Sequence, residues 1–133
     1  MLKGQCLCGE VAYQYDGELT EVAICHCSQC RRAQGTPFVT NAPVNMDQLT
    51  FLSGEHLLKD YFATENKRRV FCSNCGSPIF SQRMDKLDTV RLRLGTFTTP
   101  ISHTPDYHIY HSDRVEWFDC VAGIPTYAEG NPE

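Results

Sequence analysis

The chain has no excess of basic residues. Its 12 lysines and arginines stand against 16 acids, a formal charge of −4 over 133 residues. Binding nucleic acid without regard to sequence needs a basic face, so that class of partner is not expected. Long apolar runs are also missing: no stretch approaches the roughly 20 residues of a membrane-spanning helix. Residues 1–6, Met-Leu-Lys-Gly-Gln-Cys, lack the apolar core of a signal peptide. The expectation is a soluble, cytoplasmic protein. There is no internal repeat, no low-complexity segment and no long amphipathic helical pattern. At 21% charged and 41% hydrophobic residues, the composition excludes a highly charged disordered chain. The length fits one domain, residues 1–133, with an ordinary hydrophobic core.

What the chain does have is cysteine, eight in all. In a reducing compartment these are not expected to form disulfides. Seven fall into three short blocks: Cys6-Leu7-Cys8, Cys25-His26-Cys27-Ser28-Gln29-Cys30 and Cys72-Ser73-Asn74-Cys75. Only Cys120 stands alone. Thiols one or two residues apart on a tight turn aim two sulfurs at one point, which suits tetrahedral zinc. Scattered buried cysteines would not cluster this way. A redox Cys-x-x-Cys is expected beside a βαβ pattern, which neither pair has. Spacing alone leaves an iron–sulfur cluster open.

The rest of the chain reads as short strands between turns. Glu10–Tyr15 alternates and ends at Asp16-Gly17, a turn signal, and Leu19–Ile24 reads as the returning strand that delivers Cys25. Residues 31–35 predict a helical turn closed by Gly35. Further strands are expected around 38–40, 49–52, 57–62, 67–71 and 79–81. Val90-Arg91-Leu92-Arg93-Leu94 alternates with its aliphatic residues inward and its arginines outward. Residues 98–106 read as loop. The tail from Gly123, with Pro125 and Pro132, is expected to fray. The fold class is therefore mainly β, a single domain of short antiparallel strands held by metal.

Seven clustered thiols suit one closed four-sulfur site and one three-sulfur site with an open position. Three protein ligands leave room for water or substrate. Two allocations fit the spacing. Cys6, Cys8, Cys72 and Cys75 can close one site while Cys25, Cys27 and Cys30 form the other. Alternatively, Cys27, Cys30, Cys72 and Cys75 form a ribbon-like site and Cys25 joins Cys6 and Cys8. The first is preferred, because Cys-x-Cys-x-x-Cys supplies three ligands from one continuous loop.

Three blocks carry a family resemblance. They are Gly4-Gln5-Cys6-Leu7-Cys8-Gly9-Glu10-Val11, Cys25-His26-Cys27-Ser28-Gln29-Cys30-Arg31-Arg32 and Phe71-Cys72-Ser73-Asn74-Cys75-Gly76-Ser77. In that order they resemble the glutathione-dependent formaldehyde-activating enzyme family, which also includes centromere protein V. Trp117-Phe118 and Gly123-Ile124-Pro125 resemble its C-terminal pattern, so the likeness spans about residues 2–128. The resemblance implies a β-tent fold and the first allocation. Cys6, Cys8, Cys72 and Cys75 would then be structural zinc ligands, and Cys25, Cys27 and Cys30 the ligands of a catalytic zinc. It further implies a carbon–sulfur lyase-type activity on a thiol–aldehyde adduct, such as S-(hydroxymethyl)glutathione.

Several residues near these blocks carry a second reading. Arg31 is a candidate partner for a substrate carboxylate, since arginine pairs with carboxylates in bidentate fashion; the alternative for Arg31 and Arg32 is a solvated surface pair. His26 is expected to pack or hydrogen-bond around its loop. His103, His108 and His111 are expected on or near an alternating strand with some rings exposed. Trp117 and Phe118 are expected in the core, and Cys120 as a buried inert thiol. If Cys120 were instead reactive, a thiol-redox enzyme would gain ground. A non-enzymatic zinc module that binds a protein partner is the other rival. A nucleic-acid or chromatin module is suggested only by the centromere relative; the basic run Lys67-Arg68-Arg69 is short and sits in an acidic chain.

Overall fold

The computed structural model describes residues 1–131, so Pro132 of the tail lies outside the described residues. Among the described residues, ten strands and one short α-helix, with 3-10 turns between some of them, follow one another: β1 (Leu2–Gln5), β2 (Ala12–Tyr15), β3 (Ala23–Cys25), α1 (Ser28–Gln34), β4 (Val39–Asn45) and β5 (Leu49–Ser53). Then come β6 (Leu58–Thr64), β7 (Lys67–Cys72), β8 (Pro78–Arg83), β9 (Thr89–Arg93) and β10 (Tyr107–Ile109). The mainly β class read from the sequence is the one observed. The strands form a three-stranded sheet, β1-β2-β5, and a seven-stranded sheet, β10-β3-β4-β9-β8-β7-β6.

Two details differ from expectation. β3 does not return along β2; it joins the larger sheet between β4 and β10, while β2 pairs with β1 and β5. Asp16 instead passes its N–H to the Gln48 carbonyl, which ties the turn to the approach of β5. In addition, β10 lies parallel to β3, so the large sheet is mixed. A parallel pair needs a long connection, and the sequence pattern could not show where that strand would land.

The main core lies between the two sheets. Tyr13, Tyr15 and Leu49 of the small sheet are buried with Val44, Val70, Phe80, Val90 and Leu92 of the large one. Each such side chain contributes roughly 1.5–3 kcal/mol on full burial. Tyr13 keeps its hydroxyl satisfied on Thr96 Oγ1 at 2.6 Å, as a buried phenol requires.

Strand register gives the large sheet two unlike faces. Val70, Phe80, Leu92 and Ala42 are successive partners across β7, β8, β9 and β4, and all are buried in the apolar layer. One residue along, the partners are Arg69, Ser81, Arg91 and Pro43. Lys67 pairs with Arg83, and Arg93 with Asn41. Side chains alternate across a strand, so this second set faces away from the core. The arginines of β9 do point away from the aliphatic residues, as expected, but only Arg91 reaches solvent. Arg93 is 3% exposed, because the cysteine loop and its neighbours cover that face.

The C-terminal segment corrects a further expectation. Trp117 is half exposed rather than core, while Phe118 packs edge-on against His26 at 4.8 Å between centroids. Among the described residues, no helix is long and apolar enough to cross a membrane.

Candidate metal centres and their cavity

The first cluster forms where two turns meet. In one, Gly9 donates its N–H to the Cys6 carbonyl at 3.1 Å; in the other, Gly76 donates to the Cys72 carbonyl at 2.7 Å. Each glycine follows a cysteine and holds a positive φ, +80° and +83°, a conformation that glycine adopts without a Cβ clash. These turns gather the sulfurs of Cys6, Cys8, Cys72 and Cys75 within 4.8 Å of one another. Cys6 and Cys8 Sγ lie 3.5 Å apart, and Cys8 and Cys72 Sγ 3.9 Å apart. A zinc tetrahedron with bonds of about 2.3 Å has sulfur–sulfur edges of roughly 3.8 Å. The donors and their spacing therefore fit zinc. Val11 N–H donates to Cys6 Sγ at 3.3 Å, and Ser77 Oγ lies 3.3 Å from Cys75 Sγ. Burial pushes the Cys6 thiol up to about 11, whereas hydrogen bonds from Ser77 draw Cys75 down to about 5. The Asn74 side chain holds Cys8 below its ordinary value.

The second cluster is assembled from one loop. Cys25 ends β3, Cys27 caps α1 and Cys30 lies in its first turn; their sulfurs also lie within 4.8 Å of one another. Cys27 Sγ accepts the Cys30 N–H at 3.3 Å, doing for the helix what a serine or aspartate cap would do. Gly35 closes the helix in the left-handed conformation, so the expected helical turn is present and begins three residues earlier. Cys25 and Cys30 are shifted in opposite directions by their mutual hydrogen bond. Hydrogen bonding to Cys25 draws Cys30 down to about 4 against the opposing effect of burial, with Arg69 assisting, and Cys25 is pushed up. The ribbon-like grouping of Cys27 and Cys30 with Cys72 and Cys75 does not form.

A cavity of about 730 Å³ opens beside this second cluster. Cys25, Cys27 and Cys30 line one side, with Ser28 and Gln29. The polar face of the large sheet lines the other, through Asn41, Ser81, Lys67, Arg91 and Arg93. Arg69 lies against the same cluster and donates from Nη2 to Cys30 Sγ at 3.6 Å. The basic run Lys67-Arg68-Arg69 is thus no surface patch. Two of its members turn toward the cysteines, and Arg68 pairs with Asp60 at 3.2 Å. Sequence reasoning missed Lys67, Arg69 and Arg93. The one signal for them is the alternation on β9, which the sequence reading points outward; the run Lys67-Arg68-Arg69 carries no such alternation.

Arg31 lies on α1, donates from Nε to the His26 carbonyl at 3.3 Å, and is not among the residues that line the cavity. His26 is fully buried, its ring among Phe38, His108 and Phe118. Its Nε2 lies 2.8 Å from His108 Nδ1, while its own Nδ1 has no partner. Burial, then the neighbouring imidazoles and guanidiniums, hold it below its ordinary pKa. The packing and hydrogen-bonding role expected of His26 is what the structure shows. The contact with His108, 82 residues away, was not legible. His103 instead pairs with Asp106 at 2.7 Å. Cys120 is exposed, not buried as expected, and joins no sulfur cluster among the described residues.

Comparisons with known proteins agree with this architecture. The family model described as "Glutathione-dependent formaldehyde-activating enzyme" matches residues 1–113. A protein of Schizosaccharomyces pombe named as an uncharacterized lyase is 27% identical over 78 residues, 59% of this chain. The match covers 55% of that relative, so the chain spans about half the length of the curated protein it resembles. A crystal structure of a Rhodobacter sphaeroides protein superposes with a TM-score of 0.62 at 23% identity. It covers 79% of this chain and 98% of its own, a likeness of fold.

Proposed function

The chain belongs to the glutathione-dependent formaldehyde-activating enzyme family, and from that footing we propose a zinc-dependent carbon–sulfur lyase-type enzyme. Its reaction is the making or breaking of a thiol–aldehyde adduct such as S-(hydroxymethyl)glutathione, carried out by a single domain. One observation supports this reading above the others: three sulfurs, not four, converge at the wall of a cavity. A purely structural zinc site closes with four ligands, as the Cys6–Cys75 cluster is arranged to do.

In this reading Cys6, Cys8, Cys72 and Cys75 hold structural zinc, and Cys25, Cys27 and Cys30 hold catalytic zinc. Bound zinc would supply a Lewis acid that favours the thiolate form of an incoming thiol and polarises an aldehyde oxygen. The protein's own residues do the positioning. Cys27 fixes the loop through the Cys30 N–H, and Arg69 orients Cys30 through its sulfur. The cavity walls bring thiol and carbonyl together, which replaces a bimolecular encounter by a held geometry. One carbon–sulfur bond forms, and the thiol proton ends on the former carbonyl oxygen; the reverse reaction breaks the same bond.

The test is zinc per chain together with adduct formation in single Cys25→Ser, Cys27→Ser and Cys30→Ser variants. The expected result is retention of the four-sulfur zinc, loss of the other and loss of activity. Wild-type zinc content and activity in all three variants would overturn the reading. Arg31 stays in the proposal as a peripheral partner for a substrate carboxylate. Arg31→Ala is expected to raise KM for a carboxylated thiol, and an unchanged KM removes it.

A further inference from the structure

The polar face of the large sheet carries more positive charge than the residues around it neutralise. Arg93 is 3% exposed, and its Nε has no hydrogen-bond partner. Its Nη1 reaches only the Arg91 carbonyl, at 3.4 Å. Arg69 is 9% exposed, with Nη2 on Cys30 Sγ and Nη1 unpartnered. Among the described residues, neither these two guanidiniums nor Lys67 pairs with a carboxylate. Burial lowers Arg93 only to about 10, so its charge persists at neutral pH. Burial, and to a lesser degree the Arg69 guanidinium, draws Lys67 below its ordinary value.

An uncompensated buried charge is costly, and such charges are paired in proteins. The cysteine cluster supplies part of the compensation. Three thiolates around one divalent zinc carry a net charge of about −1, against three cations. A surplus of about two positive charges is left. Widening the count to the rim does not remove it. Arg91 and Lys86 add two cations, and Glu21 and Asp113 two anions, while Arg83 is already paired with Asp85. Glu21 is further engaged by the Tyr107 hydroxyl at 2.9 Å.

We propose that the thiol taken by this cavity is a polyanion: a small thiol with at least two carboxylate or phosphate charges and no balancing ammonium, held by Arg93 and Lys67. This rests on the reading of the three-sulfur cluster as the thiol site and adds its substrate class. Glutathione itself, with two carboxylates and one ammonium, neutralises less of the surplus than such a thiol does.

The experiment is calorimetric titration of the zinc-loaded protein with thiols of graded charge. N-acetylcysteamine is neutral, N-acetylcysteine carries one carboxylate and mercaptosuccinate two; phosphopantetheine carries a phosphate. Affinity is expected to rise roughly tenfold from N-acetylcysteine to mercaptosuccinate at low salt, and the difference to shrink between ~20 and ~300 mM salt. Tighter binding of mercaptosuccinate than of phosphopantetheine identifies carboxylates as the anionic groups, and the reverse identifies phosphate. Arg93→Gln is expected to lower affinity for the polyanions far more than for N-acetylcysteamine. Should that variant fail to fold, Lys67→Gln and the salt dependence of the wild type report the same quantity. Equal affinity across the charge series, or a preference for charge that survives both substitutions, overturns the proposal and leaves the thiol site intact. Succinate, which has no sulfur, separates the two readings. If succinate binds through Arg93 while no thiol outcompetes it, the anion wall stands and the thiol site fails.

Discussion

The two cysteine clusters use the same donor atom and have opposite construction. In the first, the ligands are distant in sequence: Cys8 and Cys72 are 64 residues apart. Val11 beside Cys6 and Ser77 beside Cys75 support this cluster locally, and the Asn74 side chain supports Cys8 across the junction. The second draws all three sulfurs from residues 25–30, and beyond the local Cys30 N–H to Cys27 Sγ bond its support is distant. Arg69 lies 39 residues from the Cys30 sulfur that it meets. The first cluster therefore joins two turns that lie far apart in sequence. The second turns a stretch of cationic strand into the wall of a cavity. With metal bound, the first arrangement would tie distant turns together, and the second would leave its surroundings free to set specificity.

Ligand loss should separate them most sharply. Cys72→Ser removes a buried sulfur that ties the two turns together. It is expected to cost about 3–5 kcal/mol or to abolish folding, since structural zinc contributes folding energy directly. Cys27→Ser should leave thermal unfolding within a few degrees of wild type while lowering activity by about 100-fold or more. Thermal melts and zinc analysis of both variants decide it, and equal destabilisation would break the contrast.

A smaller effect tests the distant support. Arg69→Met keeps much of the side-chain volume and removes the donor to Cys30 Sγ. Zinc affinity at the three-sulfur cluster should fall by roughly 10- to 100-fold, with the four-sulfur cluster unchanged in competitive chelation. Parallel loss at both clusters would show that Arg69 acts on the whole fold instead.

The smallest test probes a turn. Gly76 holds φ +83° with open space where a Cβ would stand. Gly76→Ala should therefore cost only the conformational strain, about 1 kcal/mol. Denaturant unfolding measures this, and activity per folded molecule should not change.

The sequence made the two sulfur clusters legible because spacing encodes turns, and turns aim sulfurs. It made most strands legible because β9 and its neighbours alternate. It left three things hidden for physical reasons. The side that Arg93 faces is opposite the core, and a period-two pattern cannot say whether that side meets water or another layer. The landing of β10 beside β3 is a non-local pairing, and only that pairing brings His108 to His26. Trp117 and Cys120 follow that strand in a stretch without periodicity, so their burial was judged from residue type alone and both proved exposed.

The position of the last strand has a consequence for how the molecule is made. Every clustered cysteine lies at or before residue 75, whereas Arg93 and the strand that ends at Ile109 come later. A chain emerging from the ribosome displays all seven thiols before that guanidinium and that strand exist. Synthesis runs at roughly 5–20 residues per second, so the interval lasts seconds. A metal cation binding in that interval would reach the sulfurs before Arg93 completes the positive wall that faces the three-sulfur loop. Order of synthesis thus favours loading first and enclosure second.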